Sequence, residues 1–400
     1  MKHLNKIKAI GFGVLVPFAG SLYAQLSTQQ LNGGINTITT SVPLLLITPD
    51  SRAGGMADCG VASSPDANSV HWNAAKLAFA EKKLALGVSY TPWLRQLVND
   101  INLAYLSGYY KMDKNSAVAG SLRYFSLGTI TFTDIVGNTI GNFRPNEFAL
   151  DAAYARKLSK NFSGGMAMRF IYSNLTNGLT LTGGTQTHAG TSFAVDLSGY
   201  YKSNKIESGG KASYFSFGFN ISNMGTKIAY TSSGQKDFIP TNLKLGVCYQ
   251  INLDEYNTFN ILFDVNKLLV PSPPYYVTGT TQIAAGKNPN VSVAQGIVQS
   301  FYDAPGGGKE ELKEYNPSIG LEYWYDKQFA VRTGFFYEDR TKGNRQYLTL
   351  GAGVKYNVFG LDFAYLIPIR QNNPLQNTLR FTLLFDFDAF KSQNAADTPK

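Results

Sequence analysis

The fold follows from an alternation that is clearest in one stretch, Leu243-Lys244-Leu245-Gly246-Val247-Cys248-Tyr249-Gln250-Ile251-Asn252. Its odd-numbered positions are all large and apolar, whereas its even-numbered positions are polar or small. Because successive side chains of a strand point to opposite faces, this period of two predicts a β-strand with one wholly apolar face. Fourteen such segments begin near residues 84, 101, 116, 147, 162, 191, 212, 241, 257, 315, 329, 345, 358 and 378. The sequence therefore predicts an all-β protein.

The charged residues of these segments lie on the parity opposite the large apolar side chains. They are Arg123, Asp151, Arg169, Asp196, Lys244, Asp264, Glu322, Arg332, Lys355, Asp362, Arg380 and Asp386. A soluble β-sandwich buries its apolar face, but a barrel in lipid turns that face outward and its charges into the lumen. Strands of about ten residues fit a membrane, whereas soluble strands more often have about five or six. We therefore predict a fourteen-stranded antiparallel transmembrane β-barrel over residues 84–387, with these charges in its lumen.

The composition supports a membrane barrel over other classes of protein. The chain of 400 residues is 44% hydrophobic and 13% aromatic but only 16% charged. No apolar stretch of about 18 residues follows the N-terminal region, which excludes a helical membrane protein. The net charge of +9 includes Lys2, Lys6 and Lys8, so it falls to +6 if the predicted signal peptide, residues 1–24, is removed. This small and dispersed excess does not indicate an acidic partner.

The lengths of the connections predict the orientation of the barrel. Connections after even-numbered segments are short, and those after odd-numbered segments are longer, up to residues 271–314. In outer-membrane barrels the short turns are periplasmic and the long loops are extracellular. We therefore predict an outer-membrane protein with both termini in the periplasm, in which residues 388–400 form a C-terminal tail.

Residues 25–83 do not alternate and form a separate N-terminal segment. Small residues between Ala53 and Ala62, together with mixed charges, suit a polar interior. We predict a plug inside the lumen, in which Asp50, Arg52 and Asp58 pair with inward strand charges. A cap at the periplasmic mouth is the alternative.

The loop of residues 271–314 is much longer than the usual connection, which favours either a function or disorder. It contains apolar residues that belong to no strand, and so does the end of the preceding long loop. The candidate partner-binding residues are Phe238, Ile239, Pro240, Tyr275, Tyr276, Val277, Ile283, Val293, Ile297 and Phe301. These side chains form either an exposed interaction patch or a lid over the barrel mouth.

The charged residues of the long loop and of the loop near Lys342 are predicted to lie at the surface. Glu310, Glu311 and Glu314 are predicted to be a solvated charge run rather than a calcium site. The loop cations Lys287, Lys309 and Lys342 are within the region that outer-leaflet lipopolysaccharide could contact.

Enzymatic motifs are absent from the sequence. It contains no HExxH, GxSxG or Walker motif. His71 and His188 are isolated, and Cys59 and Cys248 lack the spacing of metal ligands, so both cysteines are predicted to be buried fillers. We predict a non-enzymatic protein without a cofactor or a metal.

Several short motifs add a family resemblance. The segment from Ala53-Gly54 to Gly60-Val61-Ala62 is followed by Trp72-Asn73-Ala74-Ala75-Lys76-Leu77-Ala78. Further motifs are Pro49-Asp50-Ser51-Arg52-Ala53-Gly54-Gly55-Met56, Ser64-Pro65-Asp66-Ala67-Asn68-Ser69, Tyr302-Asp303-Ala304-Pro305-Gly306-Gly307, Leu321-Glu322-Tyr323-Trp324-Tyr325, Lys342-Gly343-Asn344-Arg345 and Asn373-Pro374-Leu375. In combination they resemble the PorV family, also called LptO, within the FadL-type fourteen-stranded barrels. One departure is Asn73-Ala74-Ala75, where the family usually has Asn-Pro-Ala.

The resemblance implies a non-enzymatic role in the type IX secretion system of Bacteroidota. Such a barrel would bind the C-terminal signal domain of secreted cargo at the cell surface. It would collect this cargo from a SprA-type translocon and deliver it to the attachment complex that holds a PorU-type sortase.

A FadL-like transporter of hydrophobic small molecules is the alternative function. It requires an apolar path through the lumen. The apolar residues assigned to the inward parity leave this alternative open, and they are Leu106, Ile171, Leu262, Phe336, Leu366 and Leu384.

Overall fold

The computed structural model describes residues 34–387, apart from 96, 97, 99, 134, 135, 177, 179, 181–184, 233, 235 and 371–374. The predicted signal peptide and C-terminal tail lie outside the described residues. In the part of the chain that is described, no helix has the length and apolar character needed to cross a membrane.

Fourteen long strands form one closed antiparallel barrel. They are β1 (Leu84–Pro92), β2 (Ile101–Lys111), β3 (Ser116–Leu127), β4 (Asn146–Lys157), β5 (Phe162–Asn174), β6 (Gly190–Lys202), β7 (Lys211–Gly225), β8 (Asn242–Asn252), β9 (Asn257–Leu268), β10 (Asn316–Tyr325), β11 (Phe329–Tyr337), β12 (Gln346–Tyr356), β13 (Phe359–Pro368) and β14 (Thr378–Asp386). Each strand pairs with the next, and β14 pairs with β1 from Asp386 opposite Ala85 to Phe381 opposite Tyr90. The predicted fold class is confirmed, and every strand begins within one residue of its predicted start.

The connections differ between the two ends of the barrel. Those after even-numbered strands are short, whereas those after odd-numbered strands extend up to residues 269–315. We call these ends the turn end and the loop end. The loops contain two short hairpins, Ile130–Thr133 with Thr139–Phe143 and Tyr275–Tyr276 with Ile283–Ala285, and the helices α3 (Val293–Gln299) and α4 (Gly308–Leu312). A short strand at the turn end, Ile206–Ser208, pairs with the start of β7.

The two faces of the barrel wall have opposite character. Outward side chains are large and apolar, such as Phe193, whose surface is 66% exposed. Inward side chains include buried charges on most strands. The predicted inward position of Leu106 is wrong: its side chain is 48% exposed and points outward, because Tyr105 and Ser107 beside it are buried inside.

The N-terminal segment lies in the lumen as a plug. It contains two short helices, α1 (Ser51–Gly54) and α2 (Ser69–Trp72). It also contains two 3-10 helices, Pro43–Leu46 and Ala74–Phe79. At the loop end the Asn36 N–H donates to the Thr341 carbonyl at 2.8 Å. At the turn end the Lys111 ammonium donates to the Ala80 carbonyl at 2.6 Å. The plug thus crosses the lumen from the loop end to the turn end, while the location of the termini themselves stays a prediction.

We expect the apolar outer face to lie in hydrocarbon, so the cost of a charge there depends on depth. Leu350 is 51% exposed at the middle of β12, and Tyr356 is 71% exposed at its end. Leu350→Arg should lower the free energy of unfolding by about 2–4 kcal/mol and Tyr356→Arg by about 0–1 kcal/mol. Urea unfolding in lipid vesicles, followed by tryptophan fluorescence, measures both. Equal costs would contradict a membrane-embedded band.

Candidate functional site

Asp50 holds helix α1 of the plug in place. Its Oδ2 atom accepts the Ala53 N–H at 2.9 Å, which caps helix α1, and its Oδ1 atom accepts the Trp72 indole N–H at 2.6 Å. The prediction that Asp50 pairs with a strand charge is wrong, because its carboxylate accepts these hydrogen bonds from neutral donors within the plug. The Asp58 carboxylate interacts electrostatically with two cations, Lys244 of β8 and Arg345. Asp58 accepts the Tyr347 hydroxyl at 2.6 Å.

Arg52 of the plug forms ion pairs with a strand carboxylate, as predicted. Its Nε and Nη2 atoms donate to both oxygens of Glu322 at 2.9 Å, and its Nη1 atom donates to Asp66 at 2.9 Å. Arg332 shares Glu322 at 2.9 Å and reaches Asp362 at 2.6 Å. A charge chain therefore runs from the plug through β10 and β11 to β13, and all its strand members are buried.

A second charge chain lies along the wall formed by β3 to β6. Arg169 donates to Asp151 at 2.6 Å and to Asp196 at 3.0 Å, and Arg123 lies 3.5 Å from Asp151. Arg123 also donates to the Leu45 carbonyl of the plug at 3.4 Å. The predicted lumen charges on these strands are thus brought together on one wall and contact the plug there.

Two further lumen charges hold the plug directly. Asp264 accepts the backbone N–H groups of Gly60 and Val61 at 2.8 and 3.0 Å. The Arg380 side chain lies against Gly54, where an added Cβ would be 2.9 Å from its Nη1 atom. Side chains of the wall therefore bind plug backbone as well as plug charge.

Glycines on the inner wall allow the plug backbone to lie directly on the strands. A Cβ at Gly218 would stand 2.5 Å from the Val61 carbonyl oxygen, and one at Gly334 would stand 2.6 Å from the Met56 carbonyl carbon. These distances are shorter than any real contact of a Cβ, so only glycine fits there. No local sequence pattern marks these positions, since their role depends on a contact distant in sequence.

A buried charge cluster orders the loop end. The Lys267 ammonium binds Glu311 at 2.8 Å and Glu314 at 2.6 Å, and the Lys342 ammonium binds Glu310 at 2.6 Å and Glu314 at 2.9 Å. The prediction of a solvated acidic run is wrong, because these two lysines neutralise it. The prediction that Lys342 is a surface cation is also wrong, because its side chain is buried in these ion pairs.

The same cluster connects the long loop to the plug. The Asn36 side-chain amide donates to Glu310 at 2.8 Å and to the Pro273 carbonyl at 3.2 Å. The Ser272 hydroxyl donates to Glu314 at 2.5 Å. Three separate segments, the plug start, the 269–315 loop and the 338–345 loop, are thus held as one unit.

The predicted partner-binding residues divide into exposed and buried groups. Ile239 packs against Val42, Leu44 and Leu45 in the core, and the Pro240 carbonyl accepts the Asn223 amide at 2.9 Å. These two predictions are wrong, because both residues are buried. Phe238, Tyr275, Ile283, Val293 and Ile297 are half-buried, whereas Tyr276, Val277 and Phe301 are exposed.

Two exposed side chains were missed. Val298 is 60% exposed and Tyr302 is 56% exposed, next to the predicted Ile297 and Phe301. The helical spacing pointed to one face of α3, and the structure turns that face partly inward. A four-residue spacing shows which residues share one face of a helix, but it does not show whether that face is buried.

The described residues form no candidate metal site. Among the described residues, no three or more His, Cys, Asp or Glu side chains are grouped to hold a metal ion. Cys59 and Cys248 are free thiols buried in one cluster with Met56, Ala62 and Leu262.

Asp303 lies beside the charge cluster and forms no ion pair with a described residue. It accepts the Ser272 N–H at 3.2 Å and the Gln299 amide at 3.4 Å. Burial raises the pKa of Asp303 from 3.8 to about 6, and the nearby Glu311 and Glu314 carboxylates add to the rise. By contrast, burial of Glu314 is outweighed by Lys267 and Lys342, which lower the pKa of Glu314.

We expect Glu322→Gln to loosen the plug, because it leaves Arg52 and Arg332 short of a shared counter-charge. Breaking such a buried pair costs about 3–5 kcal/mol. Cys59 and Cys248 should then react with a maleimide roughly tenfold faster or more. Mass spectrometry of the labelled protein measures the rate.

The matched control is Glu207→Gln. Glu207 forms an ion pair with Lys205 at 2.9 Å on the exposed surface, where solvent screens the charges, so its loss should leave the plug unchanged. Labelling at the wild-type rate in both variants would show that the plug does not depend on Glu322.

We expect the loop around Asp303 to be more stable at pH 5 than at pH 7.5. Because its folded pKa of about 6 is raised, the ionised form is penalised above that pH, and the penalty is relieved as the pH falls through 6 towards 3.8. Hydrogen exchange of residues 299–305, corrected for intrinsic rates, measures this. Asp303→Asn should abolish the difference, and an unchanged difference in that variant would assign it to another group.

A family model described as Type IX secretion system protein PorV matches residues 29–275. The solved structures similar to the chain include a TodX deltaS2S3 mutant monoaromatic hydrocarbon channel, at 12% identity over 84% of this chain and 99% of that chain, with a TM-score of 0.49. The Pseudomonas putida toluene transporter TodX has 12% identity over 88% and 98%, with a TM-score of 0.47. A Pseudomonas aeruginosa FadL homologue has 11% identity over 88% and 99%, with a TM-score of 0.43.

No curated protein matches the chain. The family model nevertheless covers more than half of it, including the plug and strands β1 to β9. The apolar outer face of the closed barrel identifies it as an outer-membrane protein. The chain belongs to the PorV family of type IX secretion system proteins.

Proposed function

We propose that the barrel binds the C-terminal signal domain of secreted proteins at the cell surface. It collects this cargo from a SprA-type translocon and delivers it to the attachment complex that holds a PorU-type sortase. The role is non-enzymatic and needs no cofactor. Family membership supports a part in type IX secretion, and the ordered loop end supports a binding role within it.

The observation that carries the proposal is the way the long loop is held. A connection of this length is usually either functional or disordered. Here Lys267 and Lys342 fix Glu310, Glu311 and Glu314 inside the loop end. Burying charges in such a cluster is costly unless every partner is in place. A loop that is ordered in this way presents a fixed surface to a partner.

The outer surface of this loop is more apolar than expected for a loop that contacts only water. Tyr276, Val277, Val298, Phe301 and Tyr302 are all exposed on it. They belong to the loop rather than to the strands, so contact of the barrel wall with lipid does not account for them. Grouped exposed apolar side chains mark interaction sites, and tyrosine is enriched among the residues that dominate protein interfaces.

The transporter alternative has less support from the lumen. A hydrophobic solute needs a continuous apolar path, but the plug lies on the wall through the backbone contacts at Gly218 and Gly334. The ion pairs of Arg52 and the contact of Arg123 with Leu45 also hold the plug against the wall. Passage would require displacement of the plug and exposure of these charges.

The test is to place lysines on the exposed loop surface. Val298→Lys with Tyr302→Lys should reduce surface-exposed cargo about tenfold, because charged groups at the centre of an apolar contact are costly to desolvate. Protease accessibility of cargo on intact cells measures the display. The shift in gel mobility on heating confirms that the barrel has folded.

The matched control is Met112→Lys with Leu158→Lys. Both residues are exposed and apolar, but they lie in turns at the opposite end of the barrel. Normal display in this control and loss in the loop variant would support the proposal. Normal display in both variants would contradict it.

A further inference from the structure

Residues 36–41 form a strap across the loop end. The Asn36 N–H donates to the Thr341 carbonyl at 2.8 Å, and the Ser41 N–H donates to the Phe238 carbonyl at 3.0 Å. The strap is therefore fixed at both ends, to two different loops. Between these anchors it forms neither helix nor strand.

The middle of the strap has backbone groups that are not used. Within the described part of the chain, no N–H or C=O group of residues 37–40 has a hydrogen-bond partner. Thr37, Ile38, Thr39 and Thr40 are all β-branched, which favours an extended conformation that pairs with a strand. Thr39 is exposed and the other three are half-buried, so these groups can be reached from outside.

A groove lies along each side of the strap. The first has a volume of about 400 Å³ and lies between Thr39, Thr40, Lys227, Lys236, Pro271 and Tyr276. The second has a volume of about 320 Å³ and lies between Thr37, Ile38, Leu268, Glu338 and Arg345. Volumes of this size are typical of ligand-binding clefts.

The first groove has an unbalanced positive charge. Lys227 and Lys236 line it, and neither forms an ion pair with a described residue. The Lys227 ammonium lies 4.0 Å from the centre of the Phe238 ring instead. Asp237 also lines the groove and interacts electrostatically with Lys227, so two lysines face one carboxylate and the lining keeps a net positive charge. The groove therefore complements an occupant that carries carboxylates.

We propose that an extended strand with acidic side chains adds to the strap, pairing its backbone with residues 37–40 and placing carboxylates at Lys227 and Lys236. The strand belongs to the C-terminal signal domain of the cargo, so this inference rests on the proposed function and names the recognition mode. Main-chain hydrogen bonds of an added strand provide affinity, and pockets for alternate side chains provide selectivity. The two grooves receive the side chains on either side of the strap.

The strap favours a polypeptide over an anionic lipid as the occupant. A phosphate group would satisfy the two lysines but would leave the unpaired C=O groups of residues 37–40 without donors. A strand supplies both N–H donors and C=O acceptors along its length. Lipid binding is therefore an outcome that the experiment must be able to detect.

The experiment uses the full-length barrel with an affinity tag, expressed in cells that secrete cargo. Thr39→Pro removes one strap N–H, and Thr39→Ala keeps it. Lys227→Glu with Lys236→Glu reverses the groove charge, and Lys309→Glu with Lys313→Glu reverses two exposed lysines of the same loop end outside the groove. Quantitative mass spectrometry measures the cargo C-terminal domain that co-purifies with each folded barrel.

We expect recovery of the domain to fall about tenfold in Thr39→Pro and in the groove charge reversal. It should change less than about twofold in Thr39→Ala and in the control reversal. A photo-crosslinking amino acid at position 39 should form its adduct with a peptide of the cargo C-terminal domain. An adduct with lipopolysaccharide instead would overturn the inference.

The two proposals fail in distinguishable ways. If the wild-type barrel recovers the domain and the strap and groove variants recover it equally well, the strap proposal is wrong and the shuttle proposal stands. If the wild-type barrel recovers no domain although cargo is secreted, both are wrong.

Discussion

The plug and the barrel depend on one shared carboxylate. Glu322 accepts hydrogen bonds from Arg52 of the plug and from Arg332 of the neighbouring strand, and Arg332 extends the chain to Asp362. Buried charges are stable only as a complete set, because removing one member leaves the others without compensation. A barrel without its plug would leave Glu322 with one of its two arginine partners. The lumen charges therefore specify where the plug lies as well as contributing to stability.

Close contact between plug and wall adds a steric condition to this electrostatic one. At Gly218 and Gly334 the plug backbone lies where a Cβ would have to be. Interiors packed at this density respond to a displacement as a unit, because neighbouring atoms have no free volume. Together the two conditions favour a plug that stays in place while the protein functions. This supports the proposal that the partner binds at the loop end.

The strands could be predicted from the sequence because each one contacts lipid on one face and the polar lumen on the other. Lipid outside and a polar lumen inside impose a strict period of two, which Leu245 and Phe193 display on one face and Asp264 and Arg169 on the other. Residues of the loops obey no such period. Glu314 is buried because Lys267 and Lys342 meet it from two other segments, and Ile239 is buried because Val42 and Leu44 of the plug pack on it. These contacts join residues far apart in sequence, so local pattern could not reveal them.

The loop end and the plug are mechanically one structure, and this supports the proposed binding function over the transporter alternative. Asn36 belongs to the plug segment, yet it donates to Glu310 inside the loop cluster and to the Pro273 carbonyl. A transporter that moves its plug would have to break this cluster at each passage, exposing Lys267 and the carboxylates that it neutralises. A binding protein has the opposite requirement, because a surface that is ordered before its partner arrives loses less conformational entropy on binding. The charges that fix the loop end meet the second requirement and oppose the first.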